Sequence, residues 1–295
     1  IGPELERRVQ NIIETSLIEL QDDFNIYWKK SSIGKIIPGK DYLNPNIELL
    51  VDDILEQNQR KRLVAFLEKW LKKKIDVVLK SLMDLKDLKE KNTSIKALAY
   101  QLYENNGVLK REKVSEYLNK LGQDERKTLR DLGVKFGRYH VFLHKLINPE
   151  SVSLRTLLWK NYHQKYLNLK PPTFGLNFLD DKEIKNKNFM LLCGFEKFDT
   201  LFVRIDILER LFMQIINSNS KENKEIKMIP EMLNLLGCSK DNFKKLLHKM
   251  NYKIFEKENE TFFKYSPTKK FKKISTKKIS NENPFKILKN LNLSK

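Results

Sequence analysis

Cysteine, glycine and proline are all scarce in this sequence, and each scarcity excludes a class of protein. Two cysteines, Cys193 and Cys238, are too few for a disulfide framework or a four-thiolate zinc site, and they fit a reducing cytoplasm. Ten glycines and nine prolines in 295 residues are too few for a sandwich or barrel of many short strands, which favours long helices. No apolar run approaches the roughly 18 residues of a membrane span, and no signal-peptide pattern opens the chain, so no membrane partner is expected. Acid is also scarce relative to base. Asp and Glu number 38 against 57 Lys and Arg, a formal net charge of +19, and 46 of the bases are lysines. A field of that sign attracts polyanions, either nucleic acid or an anionic membrane surface. The 40% of hydrophobic residues suffices for a core, which excludes wholesale disorder. The first residue is Ile1 rather than Met, as expected of a fragment or a processed piece.

Hydrophobic periodicity predicts a mainly α fold, beginning with a helical domain over 1–167. Leu5, Val9, Ile12, Ile13, Leu17, Leu20 and Phe24 recur at helical spacing behind Pro3. Across 25–37 the period shortens to two, which predicts a small β-hairpin turned at Lys30-Ser31-Ser32. Asn44-Pro45 is a start signal for a second helix through Ile47, Leu50, Val51, Ile54 and Leu55. The polar stretch 56–62 marks a break or bend before the stripe resumes from Leu63 to Leu85. Three shorter helices are expected to stop at Gly107, Gly122 and Gly133, each a left-handed terminator, with Gly137 letting the chain turn before Tyr139. Asn148-Pro149 opens another helix.

Residues 168–188, with Pro171-Pro172 and Gly175, lose periodicity and read as a linker. Over 189–265 the pattern changes. Short strands are expected at 189–193 and 201–203, then a helix from Ile205 to Ile215. Two helices joined by Gly237-Cys238-Ser239 and a hairpin at 252–255 and 261–265 complete the order of a winged-helix-like α+β module. The remainder, 266–295, holds nine lysines and one acid and reads as a basic disordered tail.

Catalytic motifs are few. Gly34 to Lys40 matches the first seven places of a phosphate-binding loop, but Asp41 occupies the place of the magnesium-binding hydroxyl and Pro38 interrupts the loop; a strand end and turn are expected instead. His140 and His144 stand four apart, the spacing of a zinc pair on one helix face, without the Glu of a metalloprotease or a third ligand nearby, so no metal site is expected. His163 and His248 are isolated, and a Cys–His nucleophile pair has no specific support. The basic groups are more informative. On the helix through Phe243, Leu246, Leu247 and Met250, the residues Lys240, Lys244, Lys245, His248 and Lys249 fall on the outer face, as on a recognition helix offering cations to phosphates. A solvated lysine-rich face would look the same. With Arg138 and the tail residues Lys269, Lys270, Lys272 and Lys273, these form the candidate nucleic-acid contacts.

Three blocks carry a family resemblance: Leu132-Gly-Val-Lys-Phe-Gly-Arg-Tyr-His-Val-Phe-Leu143, Leu154-Arg-Thr-Leu-Leu-Trp159 and Val203-Arg-Ile-Asp-Ile-Leu-Glu-Arg-Leu211. Ile33-Gly-Lys-Ile36 and Asn283-Pro-Phe285 match more weakly. In this order the blocks resemble the C-terminal portion of the superfamily-two helicases of the mitochondrial-degradosome type, especially their alphaproteobacterial relatives. His144 departs from the proline expected there, and the Walker A and DExH-type motifs are missing from this sequence. The resemblance implies a cytoplasmic bacterial ATP-dependent helicase whose motor lobes lie upstream of Ile1. ATP and magnesium would belong to those lobes, and this chain itself carries no cofactor and no ATPase motif. The expected partners are single-stranded RNA or DNA and the motor lobes, with a ribonuclease as a further candidate. A stand-alone winged-helix DNA-binding regulator, and a scaffold for protein partners, are the alternatives.

Overall fold

The computed structural model describes residues 2–14, 17–50, 55–88, 93–183, 186–218 and 224–266. Helix α1 (Gly2–Glu14) is followed by an antiparallel four-stranded meander of β1 (Ile18–Leu20), β2 (Asn25–Trp28), β3 (Ser31–Asp41) and β4 (Asn44–Leu49). The opening helix thus stops well short of Phe24. Apolar residues at 17, 20 and 24 fit a helix, but here Ile18 points inward and Glu19 outward, as on a strand. Phe24 takes a left-handed turn that the Asp23 carboxylate secures by accepting the Asn25 N–H at 3.0 Å.

The expected hairpin over 25–37 is the centre of this larger sheet, and the expected second helix at Asn44-Pro45 is its strand β4. Asp41 explains the difference. Its carboxylate accepts the Leu43 N–H at 2.9 Å and bonds the Asn44 side chain, so the Asn-Pro signal is absorbed by a tight β3–β4 turn. The phosphate-loop lookalike lies along β3 itself. A Cβ on Gly39 would come within 2.0 Å of the Asn44 carbonyl oxygen, so this glycine serves close strand approach rather than a phosphate cradle. Val51 and Ile54 of the expected stripe lie outside the described residues.

Helix α2 (Gln57–Val78) begins inside the polar stretch expected to break it. Gln59 accepts the Glu56 N–H at 3.1 Å and donates to Glu6 of α1 at 3.0 Å, so the polar residues cap one helix and tie down another. Leu63, Leu67, Leu71 and Ile75 then bury every fourth position in one core with Ile26, Ile33 and Ile36 of the sheet.

The next elements are α3 (Lys80–Lys86), α4 (Thr93–Glu104), β5 (Val108–Lys110), α5 (Ser115–Lys120), α6 (Gln123–Asp131), β6 (Val134–Phe136), β7 (His140–Leu143) and α7 (Pro149–Tyr162). A 3-10 turn at Arg111–Val114 precedes α5, and another at His144–Ile147 follows β7. Strands β5, β7 and β6 pair into a small antiparallel sheet with no counterpart in the sequence reading. At three or four residues each they are too short to display alternation. Gly107 (φ 77°) and Gly133 (φ 92°) are left-handed stops, as expected. Gly122 is not. Its φ is −75° and it caps the start of α6, the Glu125 carboxylate accepting its N–H at 2.6 Å.

Beyond α7 come β8 (Phe178–Asp180), α8 (Lys187–Leu192), β9 (Phe195–Phe198) and β10 (Leu201–Arg204), with sheet order β8-β10-β9. Strand β8 lies within the stretch read as a linker, and α8 replaces the strand expected at 189–193. A short apolar run has no decisive period, and here the Asn186 side chain accepts the Phe189 N–H at 2.9 Å, which starts a helix. The last segment contains α9 (Ile205–Asn217), β11 (Ile226–Lys227), α10 (Pro230–Leu236), α11 (Lys240–Lys249), β12 (Tyr252–Lys257) and β13 (Glu260–Tyr265), with sheet order β11-β13-β12. Its helices, its left-handed Gly237 and its Ser239 cap, which accepts the Asn242 N–H at 3.2 Å, match the sequence reading. The whole is a mixed α/β fold, mostly helical as expected, with more small antiparallel sheets than the sequence suggests.

Arg155 of α7, fully buried, ties these pieces together. Its guanidinium donates to the carbonyls of Asn106 at 2.9 Å, Leu146 at 2.5 Å and Leu192 at 2.9 Å. Burial lowers its pKa to about 10, still high enough to keep the charge at neutral pH.

A Cβ added at Gly133 meets nothing closer than Ser81 at 3.8 Å, so backbone conformation alone opposes substitution. Gly133→Val is therefore expected to cost roughly 1–3 kcal/mol, read from the urea midpoint. An unchanged midpoint would show that the helix terminates elsewhere.

Candidate functional site

The loop from Phe136 to His140 joins the edge strand β6 to the middle strand β7 of their three-stranded sheet, and it closes around a side chain from α9. The Glu209 carboxylate accepts the N–H groups of Arg138 at 2.5 Å, Tyr139 at 3.0 Å and His140 at 2.8 Å. Three successive amides converging on one carboxylate form an anion nest. The chain turns at Gly137 as expected, its N–H donating to the His140 carbonyl at 2.8 Å, but without a positive φ. A Cβ there would lie 2.3 Å from the Glu209 carboxyl carbon, and only hydrogen leaves room for that carboxylate.

His140, 2% exposed, continues the cluster. Its Nδ1 lies 3.3 Å from Glu209 Oε1 and its Nε2 lies 3.0 Å from Glu196 Oε2, on β9. Both ring nitrogens therefore have to donate, which only the imidazolium can do. Lys110 Nζ, from β5, meets the other Glu196 oxygen at 3.0 Å, and Lys187 Nζ stands 4.0 Å from it. Burial alone would pull the imidazole down, but hydrogen bonds to Glu196 and Glu209 outweigh it and hold its pKa above the ordinary 6.5. Burial likewise opposes the charged form of Glu196, yet bonds from His140 and Lys110 hold its carboxyl below 4.5.

A cleft of about 420 Å³ lies over this cluster, lined by Lys110, Arg111, Ser115, Arg138, His140 and Phe198 among others. His140 and His144 do not share a helix face. The first is on a strand and buried, the second begins a 3-10 turn and is exposed. Among the described residues no group of three or more His, Cys, Asp or Glu side chains is arranged to hold a metal ion. Burial pushes the thiols up to about 12 at Cys193 and about 11 at Cys238, which leaves neither a nucleophile at neutral pH.

The candidate cations of α11 lie on its outer side, with Phe243, Leu246 and Leu247 inward. Several are engaged within the chain. Lys244 pairs with Glu256 at 3.2 Å, Lys245 approaches Asp180 of β8 at 3.9 Å, and Lys249 binds Asp199 in the β9–β10 turn at 2.7 Å. Lys240 and His248 are exposed on the same helix. Arg138 is exposed and its guanidinium stands 5.5 Å from the Phe212 ring centroid. Lys269, Lys270, Lys272 and Lys273 lie outside the described residues.

Sequence reading did not find Lys110, Glu196 or Glu209. Glu196 and Glu209 stand 56 and 69 residues from His140, and one sequence alone carries no signal of so distant a pairing. No family model, no curated protein and no solved structure matches this chain.

Two outcomes test the cluster. Gly137→Ala is expected to destabilise the protein by roughly 1–3 kcal/mol by displacing the carboxylate from its amides, and to cost much less in a Glu209→Ala background. Additive losses in that double-mutant cycle would show that Gly137 acts independently of Glu209. The second outcome concerns pH. A raised His140 contributes stability that is present below 6.5 and lost as pH rises through its folded value. A lowered Glu196 contributes stability that is present above 4.5 and lost as pH falls. The destabilisation caused by His140→Gln should therefore be greatest between pH 4.5 and 6.5 and shrink above that window, in denaturation curves taken across pH. A pH-independent difference would mean that the imidazole is neutral.

Proposed function

We propose that the chain is a nucleic-acid-binding accessory region of an ATP-dependent RNA or DNA helicase, and that residues 205–265 form a winged-helix-like module. The observation that carries this reading is the order of α9, β11, α10, α11, β12 and β13, with β13 central in its sheet and α11 presenting lysines outward. That is the order in which winged-helix modules present a recognition helix beside a hairpin. The net charge of +19 supplies long-range attraction for phosphates. Two of the blocks that carry the resemblance to degradosome-type helicases also meet in the fold. Amides of Arg138, Tyr139 and His140 in one grip Glu209 in the other.

In this reading the motor, with its ATP and magnesium, belongs to other parts of a cytoplasmic protein. The segment from Gly34 to Asp41 does not fit a nucleotide, being a strand. No helix among the described residues is long and apolar enough to cross a membrane. The lysine pairs on α11 are solvent-exposed and individually worth about 0–1 kcal/mol, so incoming phosphates can displace their carboxylates.

Fluorescence anisotropy on mixed-sequence oligonucleotides at several salt concentrations tests the reading. Affinity is expected to show little base preference and to fall steeply with salt. Replacing Lys244, Lys245 and Lys249 together with Gln should flatten the log–log slope by about two units, at roughly 0.7 per phosphate on a single strand. An unchanged slope would reduce α11 to a solvated face. A preferred duplex site bound by a dimer would favour the stand-alone regulator instead.

A further inference from the structure

A second groove, of about 610 Å³, opens beside the cleft over His140, and the two share Arg138, Tyr139 and Phe198 as a common wall. Its remaining surface comes from α9, from Lys224 and Ile226 at the start of β11, from the end of α11 and from the β12–β13 hairpin. The volume lies within the range of about 300–1,000 Å³ typical of sites that hold small organic groups.

Two properties of this lining indicate what it would take. The first is charge. Arg138, Lys224 and Lys249 line the groove, and no carboxylate does so among the described residues. Lys249 is anchored by Asp199 at 2.7 Å, whereas the exposed Arg138 has its guanidinium over the Phe212 ring. The second is aromatic surface. Tyr265, at the end of β13, is 55% exposed and stands edge-on to the buried Tyr252, with centroids 5.4 Å apart. Tyr139 packs edge-on against Phe212 at 5.1 Å, and Phe198 is half-buried on the shared wall. Flat rings held edge-on by buried neighbours leave faces on which a base can stack. Cations interleaved with such faces, without acids, match the alternation of phosphate and base along an unpaired strand. A duplex, with its bases already stacked, would leave the rings unused.

We propose that this groove is a stacking site for single-stranded nucleic acid, in which Tyr265 receives a base and Arg138 a neighbouring phosphate. The inference rests on the nucleic-acid-binding role proposed above, and it assigns that role a site that adds Arg138 and Tyr265 to the cations of α11, of which Lys249 lines the groove.

The test uses the full chain with four oligonucleotides: single-stranded DNA, single-stranded RNA, duplex DNA, and a single strand carrying abasic positions. Tyr265→Ala should weaken binding to either intact single strand by about tenfold or more, without altering the salt slope, because stacking releases no counterions. Tyr265→Trp should retain binding. Arg138→Gln should instead lower the salt slope by about 0.7. Wild-type protein should discriminate against the abasic strand, and Tyr265→Ala should not. Duplex binding should be insensitive to Tyr265→Ala. Melting curves show whether each variant is folded, and the Trp variant separates loss of the ring from disturbance of the hairpin. If single strands bind with steep salt dependence but Tyr265→Ala and Arg138→Gln behave as wild type, the groove is overturned and the accessory-region reading stands. If no oligonucleotide binds even at low salt, both are overturned.

Discussion

A single carboxylate, that of Glu209, sets the relation between the middle of this chain and its last third. It is held by three consecutive amides from the 136–140 loop and by one ring nitrogen of His140, whose other nitrogen reaches Glu196 on β9. Isolated, either carboxylate would be costly to bury. Together with the imidazolium and Lys110, and with Lys187 at 4.0 Å, they form a set in which each anion faces a cation. Such a set is exacting in geometry, and removing any member strands the others. The loop can close only because residue 137 has no side chain.

That closure also shapes the surface. Arg138 and Tyr139 offer their amides to Glu209, so their side chains must project away from it, toward the two neighbouring clefts. The buried ionic cluster and the exposed aromatic and cationic wall are therefore two sides of one backbone segment. The cations of α11 follow a different logic. Asp180 and Asp199 reach Lys245 and Lys249 from the preceding sheet, which orients α11 relative to that sheet through contacts that water and salt weaken.

What could be read in advance followed the length of each element. Helices of ten residues or more, such as α2, α4, α9 and α11, announce themselves through apolar stripes, and Gly133, Gly237 and Ser239 mark the bounds of α6, α10 and α11 locally. Most of the 205–265 order was legible because it consists of helices and a hairpin of two six-residue strands, whereas the two-residue β11 was not. Strands β5, β6, β8 and β9 are too short to show a period, and α8 hides in an apolar run that suits either structure. Asn44-Pro45 misled because Asp41, three residues earlier, claims Asn44 for a turn. At the site, the outward lysines of α11 followed from helical spacing, but their counterions did not, since Asp180, Asp199 and Glu256 lie on other elements. Glu196 and Glu209 are ordinary acids in the sequence and become distinctive only where the chain brings them to His140.

Arg155 has a consequence for how the molecule comes apart. Its guanidinium is solvated by the peptide carbonyls at the ends of three separate segments: the loop after α4, the turn before α7 and the last turn of α8. If one of these segments frays, the cation loses part of its solvation shell while remaining out of reach of water, and the remaining bonds cannot compensate. Independent breathing of each segment is thereby penalised relative to a joint opening that lets water reach the charge. A buried positive charge coordinated by main-chain oxygens makes three neighbouring pieces of backbone behave as one cooperative unit.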